Sequence, residues 1–252
     1  MSHPERLLMR LDAIGQALAR SGHGLALLAL GSVGVEQARL DAYSDLDFFA
    51  IVEPGYKRVF IDDLGWLSAI CPIAYAFQNT VDGCKLLFDD AIFAEFAVFE
   101  PHELAQIPFP KGRFVWRAPG FDQALGTPKP TQPQQRTTEW LLGEALTNLY
   151  IGLGRFRRGE KLSAAYFIQT YAVARIIDLA PQIEVAQPAF RDEFAGERRF
   201  EQRFPGIAAH LPRFMQGYEG SPECARAILE FLEQYFAVNP AIKAEILKLC
   251  AG

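Results

Sequence analysis

Residues 31–52, GSVGVEQARLDAYSDLDFFAIV, decide how the rest of the chain is read. The apolar run Leu25-Ala26-Leu27-Leu28-Ala29-Leu30 ahead of them is stopped by Gly31-Ser32, which predicts a short buried strand. A polar connection runs to Ser44. Leu46 to Val52 is a second apolar run, predicted as a strand opened by Asp45-Leu46-Asp47. Strand side chains alternate faces, so Asp45 and Asp47 should point the same way, about 7 Å apart along the chain. Two such carboxylates repel each other unless a cation lies between them, and a hard divalent ion such as Mg²⁺ takes oxygen ligands. Gly31 permits close backbone approach, while the Ser32 hydroxyl and the following N–H groups can hold a phosphate oxygen. A helix starting within 33–39 would add its dipole. The two halves together suit a triphosphate gripped by loop donors on one side and metal on the other. Taken alone, Asp45 and Asp47 also suit a turn and cap before a strand.

Outward from this stretch, the pattern alternates between helix and strand. Leu7, Leu8, Leu11, Ile14, Leu18 and Ala19 recur at helical intervals over residues 5–20, and Ser21-Gly22-His23-Gly24 ends that helix. Glu53-Pro54-Gly55 is a turn, and 57–70 predicts another helix. Three short aromatic-rich strands follow at 73–77, 85–88 and 92–99, at least two of them joined as hairpins. In the last, Glu95 is the lone charge among eight residues. A carboxylate there must be paired with a cation, metal-bound or turned to a cleft, because an unpaired buried charge is costly.

The proline-rich segment 119–136 reads as a linker between a domain at 1–118 and a helical one at 137–252. In the latter, Leu142, Leu146, Leu149, Leu153 and Phe156 form one stripe, and Leu162–Leu179 a helix buried on more than one side. Ser221-Pro222 and Asn239-Pro240 are helix-start signals. The expected fold class is therefore α+β, a small mixed sheet with flanking helices followed by a helical bundle.

Composition narrows the function. The chain has 252 residues, 25 Lys+Arg against 30 Asp+Glu, and a net charge of −5. That balance argues against a sequence-independent nucleic-acid or anionic-membrane binder. No apolar run is long enough to span a membrane. The N-terminus does not read as a secretory signal. Cys71, Cys84, Cys224 and Cys250 make no CxxC pair, and the four histidines have no zinc spacing, so a reduced, cytoplasmic protein without structural zinc is expected.

Gly31-Ser32 followed by Tyr43-Ser44-Asp45-Leu46-Asp47-Phe48 resembles the signature of the DNA polymerase beta-like nucleotidyltransferase superfamily, with the closest likeness to its lincosamide nucleotidyltransferases. The hairpin Asp82-Gly83-Cys84-Lys85-Leu86-Leu87-Phe88-Asp89-Asp90 with Ala94-Glu95-Phe96, and Arg158-Gly159-Glu160 in the helical half, extend that likeness over most of the chain. Two positions depart from the pattern: the second acid, Glu in some members, is Asp47, and Ala94 stands where a Gly would match. The resemblance implies a nucleotidyltransferase fold and an adenylyltransferase-type reaction. A nucleoside monophosphate would pass from an NTP to a hydroxyl of a small lincosamide- or aminoglycoside-like acceptor, releasing pyrophosphate, in a cleft between sheet and bundle. It further implies that Asp45 and Asp47 bind Mg²⁺, that Glu95 is the base or a further metal ligand, and that Gly31, Ser32 and Ser44 hold the nucleotide. No nucleic-acid or membrane partner is implied, and a homodimer is compatible. The alternative is a regulatory or protein-modifying module of the same fold.

Other features read as structural first. Gly152, Gly154 and Gly159 lie in a helical period and match no glycine-rich nucleotide loop. Arg155, Arg157, Arg158 and Lys161 suit a solvated helix end, with a phosphate clamp as the alternative. Glu144 suits the surface, unless it reaches a cleft as acids do in kanamycin nucleotidyltransferase-like enzymes. Tyr43 is placed either to stack on a ligand or to pack beneath its loop.

Overall fold

Ser2 starts the first helix, α1 (His3–Arg20), through a reciprocal cap with Glu5. Leu7, Leu11, Ile14 and Leu18 recur every three or four residues and are fully buried, so this face covers a sheet. The computed structural model, which describes residues 1–128, 136–192 and 195–251, shows six strands there: β1 (Gly24–Ala29), β2 (Leu46–Val52), β3 (Ile73–Gln78), β4 (Gly83–Phe88), β5 (Phe93–Phe99) and β6 (Arg113–Arg117). Their order is β3-β4-β5-β2-β1-β6. β2 and β5 run parallel, and the other neighbouring pairs of described strands are antiparallel. The α+β class expected from the sequence is the one observed.

One face of the sheet carries Leu46, Phe48, Ala50, Leu86, Ala94, Phe96 and Val98 beneath α1. The other is covered over part of its length by Leu104 and Phe109, which meet Leu28, Ile51 and Phe99.

Several local expectations are corrected. The helix expected over 57–70 is two short ones, α2 (Lys57–Asp62) and α3 (Gly65–Ser68), because the Asp63 carboxylate accepts from the Gly65 N–H and restarts the chain. β6 was not expected, nor the short α4 (Pro101–Leu104). The expected linker falls partly on 129–135, outside the described residues. Its earlier part packs on the first unit: a 3-10 turn at Gln123–Gly126 sets Leu125 against the second apolar cluster, and Gly126 lies flat under the Phe114 ring.

The chain divides into two compact units, Met1–Gln132 and Pro133–Gly252. The second is helical: α5 (Thr138–Arg157), α6 (Lys161–Ala165), a π-helical turn at Tyr166–Ala172, α7 (Val173–Ile183), three four-residue helices α8 (Phe200–Arg203), α9 (Pro205–Ala208) and α10 (Leu211–Phe214), α11 (Ser221–Tyr235) and α12 (Pro240–Ala251). Leu141, Leu149, Leu153, Ile168, Phe200, Phe214 and Phe231 share its core. Ser221, expected as an N-cap, is instead the buried first residue of α11 and makes no capping bond. It accepts from Gln169 Nε2 at 3.2 Å. The same buried Gln169 donates to Gly217 O at 2.7 Å and accepts from Gly217 N at 2.9 Å. The four cysteines are free thiols, and burial pushes Cys84, Cys224 and Cys250 up. No helix among the described residues is long and apolar enough to cross a membrane.

Two predictions follow from these contacts. Gln169→Leu keeps the volume but leaves two backbone groups of Gly217 unpaired, and should lower stability by about 2–3 kcal/mol in urea unfolding. The β4–β5 turn is tied to α1 by Asp90, whose carboxylate meets Arg6 at 3.0 Å and Arg10 at 2.8 Å. Burial opposes the charged form, but the two guanidiniums and the Ile92 N–H outweigh it and hold the Asp90 pKa below 3.8. A depressed folded pKa stabilises above the unfolded value and is lost as pH falls through the folded one. Asp90→Asn should therefore cost about 1 kcal/mol at neutral pH. The wild-type advantage should vanish in strong acid.

Candidate functional site

β1 ends against the start of β2, with Leu30 N donating to Asp47 O at 2.8 Å. The chain then turns through Gly31 at φ +52°, a left-handed conformation that glycine adopts without steric cost. A Cβ there would fall 3.0 Å from Asp47 Oδ2 and 3.3 Å from Arg39 Nη2. Gly31 thus lets a carboxylate and a guanidinium approach the same point of backbone.

No helix follows. The segment makes two 3-10 turns, Gly31–Val33 and Gln37–Arg39, so the helix dipole expected within 33–39 is not available. The N–H groups of Gly34 and Glu36 turn back onto Gly31 O, at 3.1 and 3.4 Å. Arg113 on β6 holds the loop from outside, donating to Val33 O at 3.1 Å and Gly34 O at 3.3 Å. Arg39 is ion-paired with Glu36. Ser32 is only 2% exposed, so its side chain lies beneath the turn and not on its surface.

The second half of the loop is shaped by Asp41. Its carboxylate accepts from Tyr43 N at 2.8 Å and from the Ser44 hydroxyl at 3.1 Å, which holds its pKa below the usual carboxylate value. His3 Nε2 lies 2.9 Å from Ser44 O. The Ser44 hydroxyl is therefore engaged within the turn. Tyr43 is 94% exposed and does not pack beneath the loop.

Asp45 and Asp47 are both half-buried, on either side of the first residue of β2. The Asp45 side chain makes no hydrogen bond or ion pair among the described residues. In the parallel ladder Asp47 is the register partner of Glu95. Ladder partners share a face, so the two side chains leave the sheet on the same side, from strands whose backbones are about 4.8 Å apart. Glu95 is also met by a cation, with Lys85 Nζ 3.1 Å from Oε2 and Asn79 Nδ2 3.4 Å from Oε1. The sheet therefore brings Asp47 and Glu95 together, gives Glu95 a partner on β4, and puts Gly31 against Asp47.

Among the described residues no three His, Cys, Asp or Glu side chains converge as a metal-holding group. Mg²⁺ does not need such a cage. It keeps several waters and takes one or two carboxylates together with substrate phosphates. Asp45 and Asp47 offer that set of hard oxygens, and Glu95, held by Lys85, does not complete a third arm.

Arg39 and Lys85 are the site residues that the sequence reading missed. Lys85 carried a signal: a tight turn centred on Asp90 pairs residues whose numbers sum to 180, which sets 85 against 95. Arg39 carried none, lying in a polar loop with no periodicity. In the second unit the basic cluster is engaged locally. Arg155 stacks over Phe167 at 4.1 Å, Arg157 donates to Leu249 O, Arg158 meets Glu160 at 2.9 Å, and Lys161 meets Glu219. Gly152 is a packing glycine whose Cβ would strike Ile168 at 2.6 Å. Glu144 is half-buried.

No protein-family model matches the chain, and no curated protein sequence does. Among solved structures it is similar to an aminoglycoside 6-adenyltransferase from Bacillus subtilis, at 11% identity and a TM-score of 0.31 over 95% of each chain. So loose a superposition leaves the site to be read from its own residues.

Gly31→Ala forces an L side chain into the left-handed region and crowds Asp47 and Arg39. It should cost about 1–2 kcal/mol, read as a lowered urea midpoint at unchanged m-value.

Proposed function

We infer that the protein is a metal-dependent nucleotidyltransferase that moves a nucleoside monophosphate, of the adenylyl type, from an NTP to a hydroxyl of a small molecule. The observation that carries this reading is the pairing of Asp47 with Glu95 across the parallel strands, with Asp45 two residues before and the Gly31 turn alongside.

In this reading Asp45 and Asp47 are the residues that would hold Mg²⁺. The bound ion supplies Lewis-acid stabilisation of charge on the transferring phosphate and the departing pyrophosphate. Arg39, beside the Gly31 turn, offers a guanidinium suited to phosphate oxygens. Glu95 takes the proton of the acceptor hydroxyl. The acceptor oxygen then bonds to the α-phosphorus, the bond to the bridging oxygen breaks, and pyrophosphate leaves. Lys85 fixes the position of the Glu95 carboxylate for that step. Nucleotidyl transfer asks mainly for alignment and charge neutralisation, which is what these side chains provide.

Asp45→Asn and Asp47→Asn remove charge without changing volume. Either should reduce acceptor-dependent pyrophosphate release, followed with each NTP and Mg²⁺ over a panel of lincosamides and aminoglycosides, by at least about a thousandfold. Their far-UV circular dichroism should stay at wild type. Wild-type-like transfer by either variant at saturating Mg²⁺ refutes the metal role. Glu95→Gln should lower kcat by roughly 10²–10⁴ with little change in nucleotide KM. Label appearing on a protein, with none on the small molecules, would favour the protein-modifying reading.

A further inference from the structure

The ladder row through Asp47 and Glu95 does not stop at Lys85. Lys85 is the register partner of Phe77 on β3, the last strand of the sheet. One pleat nearer the open end, Phe93 is the partner of Leu87, and Leu87 of Tyr75. Partners share a face, so Tyr75, Phe77, Leu87 and Phe93 continue the surface that bears the acids. Tyr75 is 57% exposed and Phe77 47%, with their ring centroids 6.3 Å apart. Leu87 and Phe93 are half-buried.

Edge strands are ordinarily blunted with charge or proline, because exposed apolar edges invite wrong pairing. β3 reads IAYAFQ and carries neither. Exposed rings that adjoin a cluster of charged groups are what a ligand platform requires, since an apolar floor supplies area and a few polar groups fix orientation.

We propose that Tyr75, Phe77, Leu87 and Phe93 form the platform on which the acceptor lies, and that this acceptor is a neutral or anionic hydroxyl compound with a flat apolar ring face, not a polycation. The proposal rests on the nucleotidyl-transfer reading and names its substrate class. The direction of the row makes the argument. If phosphates occupy the Gly31 end, a hydroxyl presented to Glu95 leaves the rest of its molecule to extend away from them, over Lys85 toward β3. Two strand spacings separate Glu95 from Phe77, about 10 Å, which is the length of one or two six-membered rings. Charge narrows the class. The ladder positions beyond Glu95 hold one cation, Lys85, and no acid. Lys85 is paired with Glu95, so a polycationic acceptor would find no carboxylate among the platform positions to receive its ammonium groups, whereas a neutral or anionic one needs none.

The test uses the full chain with Mg²⁺ and two probes: 4-nitrophenyl β-D-glucopyranoside, neutral with an aromatic ring and free hydroxyls, and kanamycin A, a polycation. Binding is read by calorimetry, independently of turnover. The aryl glucoside should bind the wild type in preference to kanamycin. Tyr75→Ala and Phe77→Ala should each weaken it tenfold or more, Phe77→Tyr should retain it, and ATP affinity should not change in any of them. Both alanine substitutions are at exposed positions, and unchanged circular dichroism checks that the fold persists. Failure of the aryl glucoside to bind, equal binding by the alanine variants, or tighter binding of kanamycin overturns the proposal. A loss of ATP affinity in the same variants also overturns it, by assigning the rings to the nucleobase. The expected binding pattern without pyrophosphate release from any NTP counts against the transfer reading alone and leaves the platform standing.

Discussion

The parallel pairing of β2 with β5 is the constraint on which the candidate site depends. It sets Leu46 against Ala94 and continues in step to Ile51 against Phe99. The acids sit in that ladder among apolar residues, so a slip of one residue would turn Asp47 or Glu95 into the core under α1. Burying an unpaired carboxylate there costs several kcal/mol. Packing on both faces opposes the slip. Phe48 stacks on Phe96 at 5.2 Å beneath α1, and Phe49 meets Phe99 edge-on at 4.9 Å on the opposite side. The apolar residues thus hold the polar ones in register.

That register brings like charges together, which by itself is unfavourable. Like charges on adjacent strands repel, and more strongly where protein displaces solvent. The neighbouring chain supplies cations on either side, Lys85 beside Glu95 and Arg39 near Asp47 at the Gly31 turn. The arrangement leaves Asp45, at the mouth of the strand, as the carboxylate least committed to protein partners. In the proposed reading a divalent ion would arrive there with its own phosphate ligands, and the neighbouring cations would screen the acids until it does.

Much of this was legible in the sequence, for definite reasons. β2, β4 and β5 announce themselves because burial of one face writes a period of two, and β1 because it is an unbroken apolar run. The α1 stripe and its Ser2–Glu5 cap are equally local signals. Asp45, Asp47 and Glu95 stood out because acids interrupt apolar runs, and the ladder then joins two of them. The remainder depends on contacts between distant residues. β6 is five residues long, half-buried at its first four and bounded by irregular chain, so its alternation is faint. The loop after Gly31 reads in the sequence only as a polar connection, because its conformation is set by Arg113, some eighty residues away. Phe200 and Phe214 lie in polar surroundings on helices of one turn, too short for a periodic stripe, and Phe204 lies between two such helices, yet all three are among the largest fully buried side chains. Gln169 read as one more residue of a buried helix, and only the fold reveals its two-sided bond to Gly217.

The first unit also explains why chemistry would lie at this end of the sheet. Below the acids the same face is closed by Phe49, Phe99 and Phe109, with Leu104 packed beside them. Above, within this unit, that cover ends and the strands carry charged and aromatic side chains in place of a second apolar layer. A sheet exposing only alternating polar residues there would be equally stable and more soluble. Here the open area instead combines paired carboxylates, a tight glycine turn and two exposed rings. Stability does not require any of the three, and in the proposed reading they would serve phosphate, proton transfer and an apolar body in turn. Their joint occurrence on one contiguous set of ladder positions is the strongest physical reason to treat this face as a working surface.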